Sequence, residues 1–90
     1  DPKNLSLIQG GNAQRMTIKE TRILSKLASS VNNIVTREEI MIDVWGESDY
    51  YTGRSLDVFI SKLRGYLKSD PSVRIVTIPT LGYKLEVDKF

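Results

Sequence analysis

The chain has 90 residues and a formal net charge of +2, and it contains neither cysteine nor histidine. This is the length of one domain that can bury a core without disulfides. The composition excludes thiolate metal sites and disulfides, and it removes the commonest general base and metal ligand. No apolar run is long enough for a membrane span, and no signal-peptide pattern opens the chain.

The charges are unevenly distributed. Between residues 37 and 51 the acidic residues outnumber the basic ones five to one, whereas between residues 52 and 84 six basic residues face two acidic ones. Such a chain can present two faces to two partners, although chance clustering of few charges gives the same pattern.

The N-terminal segment predicts short antiparallel strands. Residues 4–8 alternate polar and apolar side chains, residues 9–12 contain turn-forming Gly and Asn, and residues 13–16 form the return strand. Two strands alone are marginally stable in water, so we expect this hairpin to lean on helices or on further strands.

A first helix begins at a capping box formed by Thr17 and Glu20. Apolar residues then recur at helical spacing over about three turns, at Ile23, Leu24, Leu27, Ala28 and Val31. Asn32 and Asn33 end the helix because asparagine tolerates the left-handed backbone conformation. Ile34 and Val35 are interpreted as apolar connectors.

A second capping box, formed by Thr36 and Glu39, opens a short helix that Gly46 ends. Its apolar face is predicted to consist of Ile40, Met41, Val44 and Trp45. The adjacent Glu38 and Glu39 diverge by about 100° on a helix, so they do not form an acid–base pair. Residues 47–51 are interpreted as an exposed acidic loop.

Residues 52–68 predict the helix around which the domain is organised. Four apolar residues share one side and predict a buried back: Leu56, Ile60, Leu63 and Leu67. The opposite side carries Arg54, Val58, Ser61 and Gly65, flanked by Lys62 and Lys68. A basic, shallow face of this kind suits the major groove of DNA, although an ordinary solvated face has the same pattern.

Asp70 and Pro71 end this helix, and residues 73–78 and 82–85 predict a closing hairpin with Pro79-Thr80 between its strands. The predicted fold class is α+β. The order of short strands, three helices and a C-terminal hairpin is that of a winged helix-turn-helix, with the third helix as reader and the hairpin as wing.

Several stretches resemble the DNA-binding effector domain of OmpR/PhoB-type response regulators. Residues 16–20 are similar to that family's L-T-x-x-E entry to the first helix, and residues 35–40 with 44–46 to its second helix. Residues 54–64 fit its R-x-x-D-V-x-I-x-x-L-R recognition helix, and residues 75–78 with 82–83 resemble its wing.

The resemblance implies a cytoplasmic, bacterial two-component transcription factor that binds double-stranded DNA, with residues 1–90 as its winged-helix effector domain. It implies no catalytic residue, metal or cofactor. Because the chain begins with Asp1, and the family domain begins with a four-stranded sheet, we expect a piece of a longer protein that starts inside that sheet. In this family an N-terminal receiver domain takes a phosphoryl group on an aspartate. That domain would then lie outside this chain.

The resemblance also implies roles for individual residues. Lys62, with Val58 and Ser61 beside it, is expected at base edges. Phosphate contacts are expected from Arg54, Ser55, Arg64, Trp45 and Tyr83, and wing contacts from Thr77, Pro79 and Thr80. Glu47 and Asp49 correspond to the family's RNA polymerase contact, and the family tends to bind direct repeats as head-to-tail dimers.

Some residues have a second interpretation. Trp45 is expected to be a core and edge residue rather than a platform for a ligand. Arg64 lies on the same flank as Asp57, so a local ion pair is an alternative or an addition to a phosphate contact.

The chain departs from the family pattern at several positions. The family often has His where Phe59 lies, a basic residue near the position of Ser61, and an Arg-Gly pair where Pro79-Thr80 stands in the wing. Gly65 and Tyr66 stand where the family has two basic residues. Fewer phosphate contacts lower both the affinity and its salt dependence, so we expect the domain alone to bind DNA weakly.

Two other classes of function remain as alternatives. A winged helix can serve as a protein-interaction module without binding DNA, because fold does not fix function. An enzyme would need a carboxylate or lysine site, and no pair of acids has suitable spacing, so we predict that the chain is not an enzyme.

Overall fold

Three helices and two antiparallel sheets make up the computed structural model, which describes residues 6–9 and 12–88 and, for 6–9 and 12–14, the backbone alone. The helices are α1 (Ile18–Ala28), α2 (Arg37–Trp45) and α3 (Tyr50–Leu67). The strands are β1 (Ser6–Gln9), β2 (Asn12–Arg15), β3 (Ile34–Thr36), β4 (Val73–Ile78) and β5 (Gly82–Val87). The predicted α+β class and the winged helix-turn-helix order are confirmed.

The N-terminal strands form a sheet of their own. β1 pairs antiparallel with β2, with Ser6 opposite Arg15 and Gln9 opposite Asn12. The predicted hairpin is confirmed over these residues, while its first residues, Asn4 and Leu5, and its turn glycines, Gly10 and Gly11, lie outside the described residues. Met16 follows β2 as a buried core residue rather than as part of the strand.

The capping box of α1 is confirmed in both halves. The Glu20 amide donates to the Thr17 hydroxyl at 3.2 Å, and the Thr17 amide donates to the Glu20 carboxylate at 2.9 Å. The helix ends at Ala28, earlier than predicted, and Val31 is exposed in the turn that follows. Asn32 has the expected left-handed backbone (φ 64°) and binds β5 through the Val87 amide.

The segment interpreted as a connector is in fact a strand. β3 pairs with β5, which also pairs with β4, so the second sheet has the order β3-β5-β4. Gly82 permits this pairing, because a Cβ at that position would lie 2.1 Å from the Val35 carbonyl oxygen. Because β3 directly precedes α2, this pairing attaches the C-terminal hairpin to the start of that helix.

Helix α2 begins and ends close to the predicted residues. The Thr36 hydroxyl accepts from the Glu39 amide at 3.1 Å, but the Glu39 carboxylate accepts from that same hydroxyl, so the reciprocal half differs from the expected box. Gly46 ends the helix in the left-handed conformation, with φ 78°. No helix in the described residues is both long and apolar enough to cross a membrane.

Helix α3 begins earlier than predicted, at Tyr50 instead of Thr52 or Gly53. The Asp49 carboxylate accepts from the Thr52 amide at 2.8 Å, and the Thr52 hydroxyl accepts from the Asp49 amide at 2.9 Å. Residues 50 and 51 of the supposed loop are therefore the first turn of the helix. The core beneath it is formed by all three helices and includes Ile23, Leu27, Ile40, Leu56, Ile60 and Leu63.

Candidate nucleic-acid interface

One side of α3 is open to solvent along the helix. We call Arg54, Val58, Ser61, Lys62 and Gly65 the front face; all five are exposed, and Val58 keeps 55% of its surface accessible. The opposite side is buried as predicted, at Leu56, Ile60, Leu63 and Leu67. The hairpin does not cover the front face, so the helix presents a shallow basic surface that a duplex can reach.

Aromatic rings lie beside two cations of the front face. The Arg54 guanidinium lies 5.9 Å from the Tyr50 ring centroid, and its Nη1 donates to the Tyr50 hydroxyl at 3.2 Å. The Lys62 ammonium lies 5.7 Å from the Phe59 ring, at a position where the family often has His. Both cations are exposed and both keep hydrogen-bond donors for a partner.

A polar network fixes α3 against the hairpin. The Arg37 guanidinium, at the start of α2, donates to the Asp57 carboxylate at 2.6 Å and to the Gly53 carbonyl at 3.1 Å. The Tyr83 hydroxyl in β5 donates to the same Asp57 oxygen at 2.8 Å and accepts from Arg37 at 3.0 Å. One carboxylate thus joins the second helix, the third helix and the wing.

This network changes the pKa of its members. Burial alone would raise the pKa of Asp57, but the donated hydrogen bonds of Arg37 and Tyr83 outweigh it, so the pKa is lowered. The pKa of Tyr83 is raised, by burial first and then by its hydrogen bond to Asp57. At neutral pH the carboxylate is therefore charged and the phenol keeps the proton that it donates.

Tyr83 is buried and hydrogen-bonded within the protein, whereas a phosphate contact would need an accessible hydroxyl. Only 5% of its surface is accessible, and its hydroxyl is engaged within the network. Its assignment as a residue that grips phosphate stays a prediction, whereas its role in positioning the helix and hairpin follows directly from the contacts.

Arg64 also joins helix and wing. Its Nε donates to the Ile75 carbonyl at 3.1 Å, and its Nη2 donates to the Thr77 hydroxyl. The alternative ion pair with Asp57 is wrong, because Asp57 is turned toward Arg37 instead. Arg64 and Thr77 are both exposed and adjacent, so the structure brings together one predicted phosphate contact and one predicted wing contact.

The wing tip is a tight turn. The Leu81 amide donates to the Ile78 carbonyl at 3.0 Å across Pro79 and Thr80, and Thr80 has φ 63°. Proline followed by a residue with positive φ is typical of a type II turn, in which glycine is preferred at the second position. A β-branched residue is strained there. Both tip residues are exposed.

The remaining predicted residues lie around the start of α3. Trp45 is half-buried and packs against Phe59 with ring centroids 5.8 Å apart, which agrees with its interpretation as a core and edge residue. Ser55 is half-buried on the flank of the front face. Glu47 and Asp49 are exposed, but Asp49 is also the N-cap of α3, so it has a structural task that the sequence did not reveal.

One departure from the family pattern has a structural explanation. Tyr66 replaces an expected basic residue, and its hydroxyl donates to the buried Glu20 carboxylate at 2.9 Å. Burial and this bond to Glu20 both raise the pKa of Tyr66. The tyrosine thus satisfies the carboxylate that caps α1 and ties α1 to α3.

Sequence reasoning missed two residues of the site. One is Arg37, whose partners lie 16, 20 and 46 residues away along the chain, so no local pattern indicates its role. The other is Tyr50, which the sequence pattern places in a loop, although the Asp49–Thr52 spacing is itself a capping signal.

Comparison with known proteins places this geometry in a family. Residues 11–85 match the family model described as "Transcriptional regulatory protein, C terminal". The chain is 36% identical over 85 residues to the transcriptional regulatory protein RprY of Bacteroides fragilis, covering 94% of this chain and 36% of RprY. It is 35% identical over 78 residues to the sensory transduction protein RegX3 of Mycobacterium leprae, covering 84% of this chain and 39% of RegX3. The chain therefore spans little more than a third of these relatives.

Solved structures of DNA-binding domains have the same fold as this chain. The DNA-binding domain of Escherichia coli CadC superposes with a TM-score of 0.80 at 28% identity, covering 97% of this chain and 83% of that domain. The Klebsiella pneumoniae RstA DNA-binding domain, solved in complex with the RstA box, gives a TM-score of 0.77 at 29% identity over 96% of this chain and 87% of that chain. Domains of this family are winged-helix domains of transcription factors and not enzymes. This chain belongs to the family of C-terminal domains of transcriptional regulatory proteins, the OmpR/PhoB-type winged helix-turn-helix domains that its motifs resemble.

Proposed function

We propose that this chain binds double-stranded DNA with sequence preference, as the effector domain of a bacterial two-component response regulator that controls transcription. The observation that carries the proposal is the front face of α3, which is exposed and basic while the back of the same helix is core. The major groove admits one α-helix presented in this way. The similar RstA domain, solved with its DNA box, supports the assignment.

The residue roles that we propose rest on this placement and on the family resemblance. Lys62, with Val58 and Ser61, faces the base edges, where an ammonium can donate to guanine O6 or N7. Arg54 and Arg64 bind phosphates of the DNA backbone. Ser55, the Trp45 amide and Tyr83 complete the proposed backbone contacts, and Thr77, Pro79 and Thr80 form the part of the wing nearest the duplex.

The family resemblance also supports proposals about partners beyond DNA. We propose that Glu47 and Asp49 form part of a surface for RNA polymerase, that the chain works with its own receiver domain, and that two copies bind direct repeats head to tail in the cytoplasm. Because Asn caps helices as well as Asp, the double variant Glu47→Gln and Asp49→Asn keeps α3 intact. Transcription is expected to fall in this variant while DNA affinity is unchanged; a fall in affinity would refute the polymerase assignment.

A salt titration of binding to duplex DNA tests the main proposal. The observed binding constant should fall as salt rises, with a logarithmic slope of about −3 if three or four cations each neutralise a phosphate. A protein-interaction module gives no steep slope. We expect the domain alone to bind weakly at physiological salt, and a submicromolar affinity would contradict that expectation.

A second experiment locates the base contact. Lys62→Ala should remove the preference at one base position and weaken binding to the preferred site about tenfold. Lys26→Ala, on α1 and away from the front face, is the control and should bind like the wild type. Uniform weakening on all sequences would make Lys62 a phosphate contact instead.

A further inference from the structure

The first turn of α3 extends the front face by two exposed tyrosines. Tyr50 and Tyr51 keep 69% and 78% of their surfaces accessible, and their rings meet edge to face with centroids 5.5 Å apart. At about 100° per residue, Tyr50 lies within about 40° of Arg54 and about 20° of Ser61 around the helix axis. Its side chain therefore belongs to the same side as the residues proposed to face DNA.

Tyr50 and Arg54 form a pair with free donors. Because the Tyr50 hydroxyl accepts from Arg54 Nη1 at 3.2 Å, the hydroxyl's own hydrogen remains available to a further acceptor. The guanidinium lies 5.9 Å from the ring centroid and keeps other N–H groups exposed. A cation and a neutral donor side by side suit an oxygen-rich anion such as a phosphate group.

The acidic groups near this pair are already engaged. Asp57 is held by Arg37 and Tyr83, and the Asp49 carboxylate accepts from the Thr52 amide and hydroxyl. Among the described residues, no hydrogen bond joins the Tyr50 hydroxyl to either carboxylate. The ring also contacts Arg54 and the Tyr51 ring, so less side-chain entropy is lost when a partner binds.

We propose that Tyr50 is a DNA-binding residue, which together with Arg54 binds one backbone phosphate at the N-terminal end of α3. The inference rests on the proposed function and adds a residue to it. DNA is favoured over a protein partner because Tyr50 is continuous with the basic front face and shares its hydrogen bond with a cation of that face.

A double-variant cycle on a short random-sequence duplex tests the pair. Tyr50→Phe keeps the ring over which Arg54 lies and removes only the hydroxyl. We expect it to weaken binding about three- to tenfold on all sequences, without changing the salt slope, because no charge is lost. Arg54→Ala should reduce the slope by about one. In that background Tyr50→Phe should have almost no further effect, because the shared phosphate is no longer held.

Lys68→Ala supplies the matched control. Lys68 is an exposed cation at the other end of the same helix, so the effect of Tyr50→Phe should remain complete in the Lys68→Ala background. Circular dichroism should show unchanged folding, because Tyr50 lies outside the core.

The possible failures can be told apart. If the wild-type chain shows no salt-dependent binding, the proposed function fails. If the wild type binds and Tyr50→Phe binds equally well, or weakens binding by the same factor with and without Arg54, only the role of Tyr50 fails. Reduced transcription with unchanged DNA affinity would assign Tyr50 to a protein partner and would likewise overturn the inference.

Discussion

The two sides of α3 obey different physical constraints. The back is buried: Leu56 and Leu63 have no accessible surface, Ile60 has 1% and Leu67 has 6%. The front has no packing partner at Gly65, where a Cβ would meet nothing within 4 Å, and its Val58 is half exposed. The back therefore determines where the helix lies, and the front is free to carry residues chosen for a partner.

Polar contacts lie at the boundary between the buried back and the exposed front of α3. Asp57 and Arg64 lie at the boundary, and both reach other elements: Asp57 reaches Arg37 and Tyr83, and Arg64 reaches the β4 backbone. These bonds set the angle between the helix and the wing. Substitutions at the back, at the boundary and at the front should thus have effects of decreasing size on stability.

The largest effect is expected at the back, from Leu63→Ala. Loss of a fully buried leucine removes its transfer free energy and leaves a cavity, at a cost of about 3 kcal/mol. Chemical denaturation should show a lower midpoint. Val58→Ala at the front is the control, and its free energy of unfolding should change by less than about 0.5 kcal/mol. An equal loss of unfolding free energy in the two variants would contradict the difference between the back and the front of α3.

The buried side of the domain could be predicted from the sequence because its signals are local. The spacing of Leu56, Ile60, Leu63 and Leu67, the Thr17–Glu20 box and the stop at Gly46 all depend on residues within a few turns of each other. Each of these predictions is confirmed.

The parts that were wrong depend on residues far apart in sequence. β3 has only three residues and is a strand because β5 pairs with it, nearly fifty residues later. Asp57 pairs with Arg37 rather than with Arg64, because the packing of α2 against α3 brings Arg37 Nη1 within 2.6 Å of the Asp57 carboxylate. The start of α3 differs from the prediction for another reason. Aromatic residues in an acidic stretch are typical of a loop, and Asp49 with Thr52 is a less common cap than Thr17 with Glu20.

At the boundary, Tyr83→Phe should have an intermediate effect. The variant keeps the ring in the core but leaves Asp57 with Arg37 alone, so we expect a loss of about 1 kcal/mol. Because Asp57 loses a donor, its pKa should rise toward the ordinary carboxyl value, which carbon-detected NMR titration can follow.

The pH dependence has a definite sign. A carboxyl group whose pKa is lowered by folding stabilises the fold above its unfolded pKa, and this contribution is lost as the pH falls through the folded pKa. The wild type should therefore lose more stability than Tyr83→Phe between neutral and acidic pH. The difference should stay small, because the Asp57 side chain is 54% exposed and solvent screens its interactions. Identical acid profiles would show that the hydroxyl does not support Asp57.

At the front, Gly65→Ala should change stability least and in the opposite direction. Gly65 lies inside α3, has open space around its Cα, and has no positive φ, so alanine fits without strain. Replacing glycine in an exposed helix interior by alanine reduces the entropy lost on folding, and we expect a gain of about 0.5–1 kcal/mol. Thermal unfolding measures this as a higher Tm. An unchanged or lower Tm would mean that the backbone at Gly65 needs a freedom that alanine lacks, and the front of α3 would then be constrained by the fold as well as by its partner.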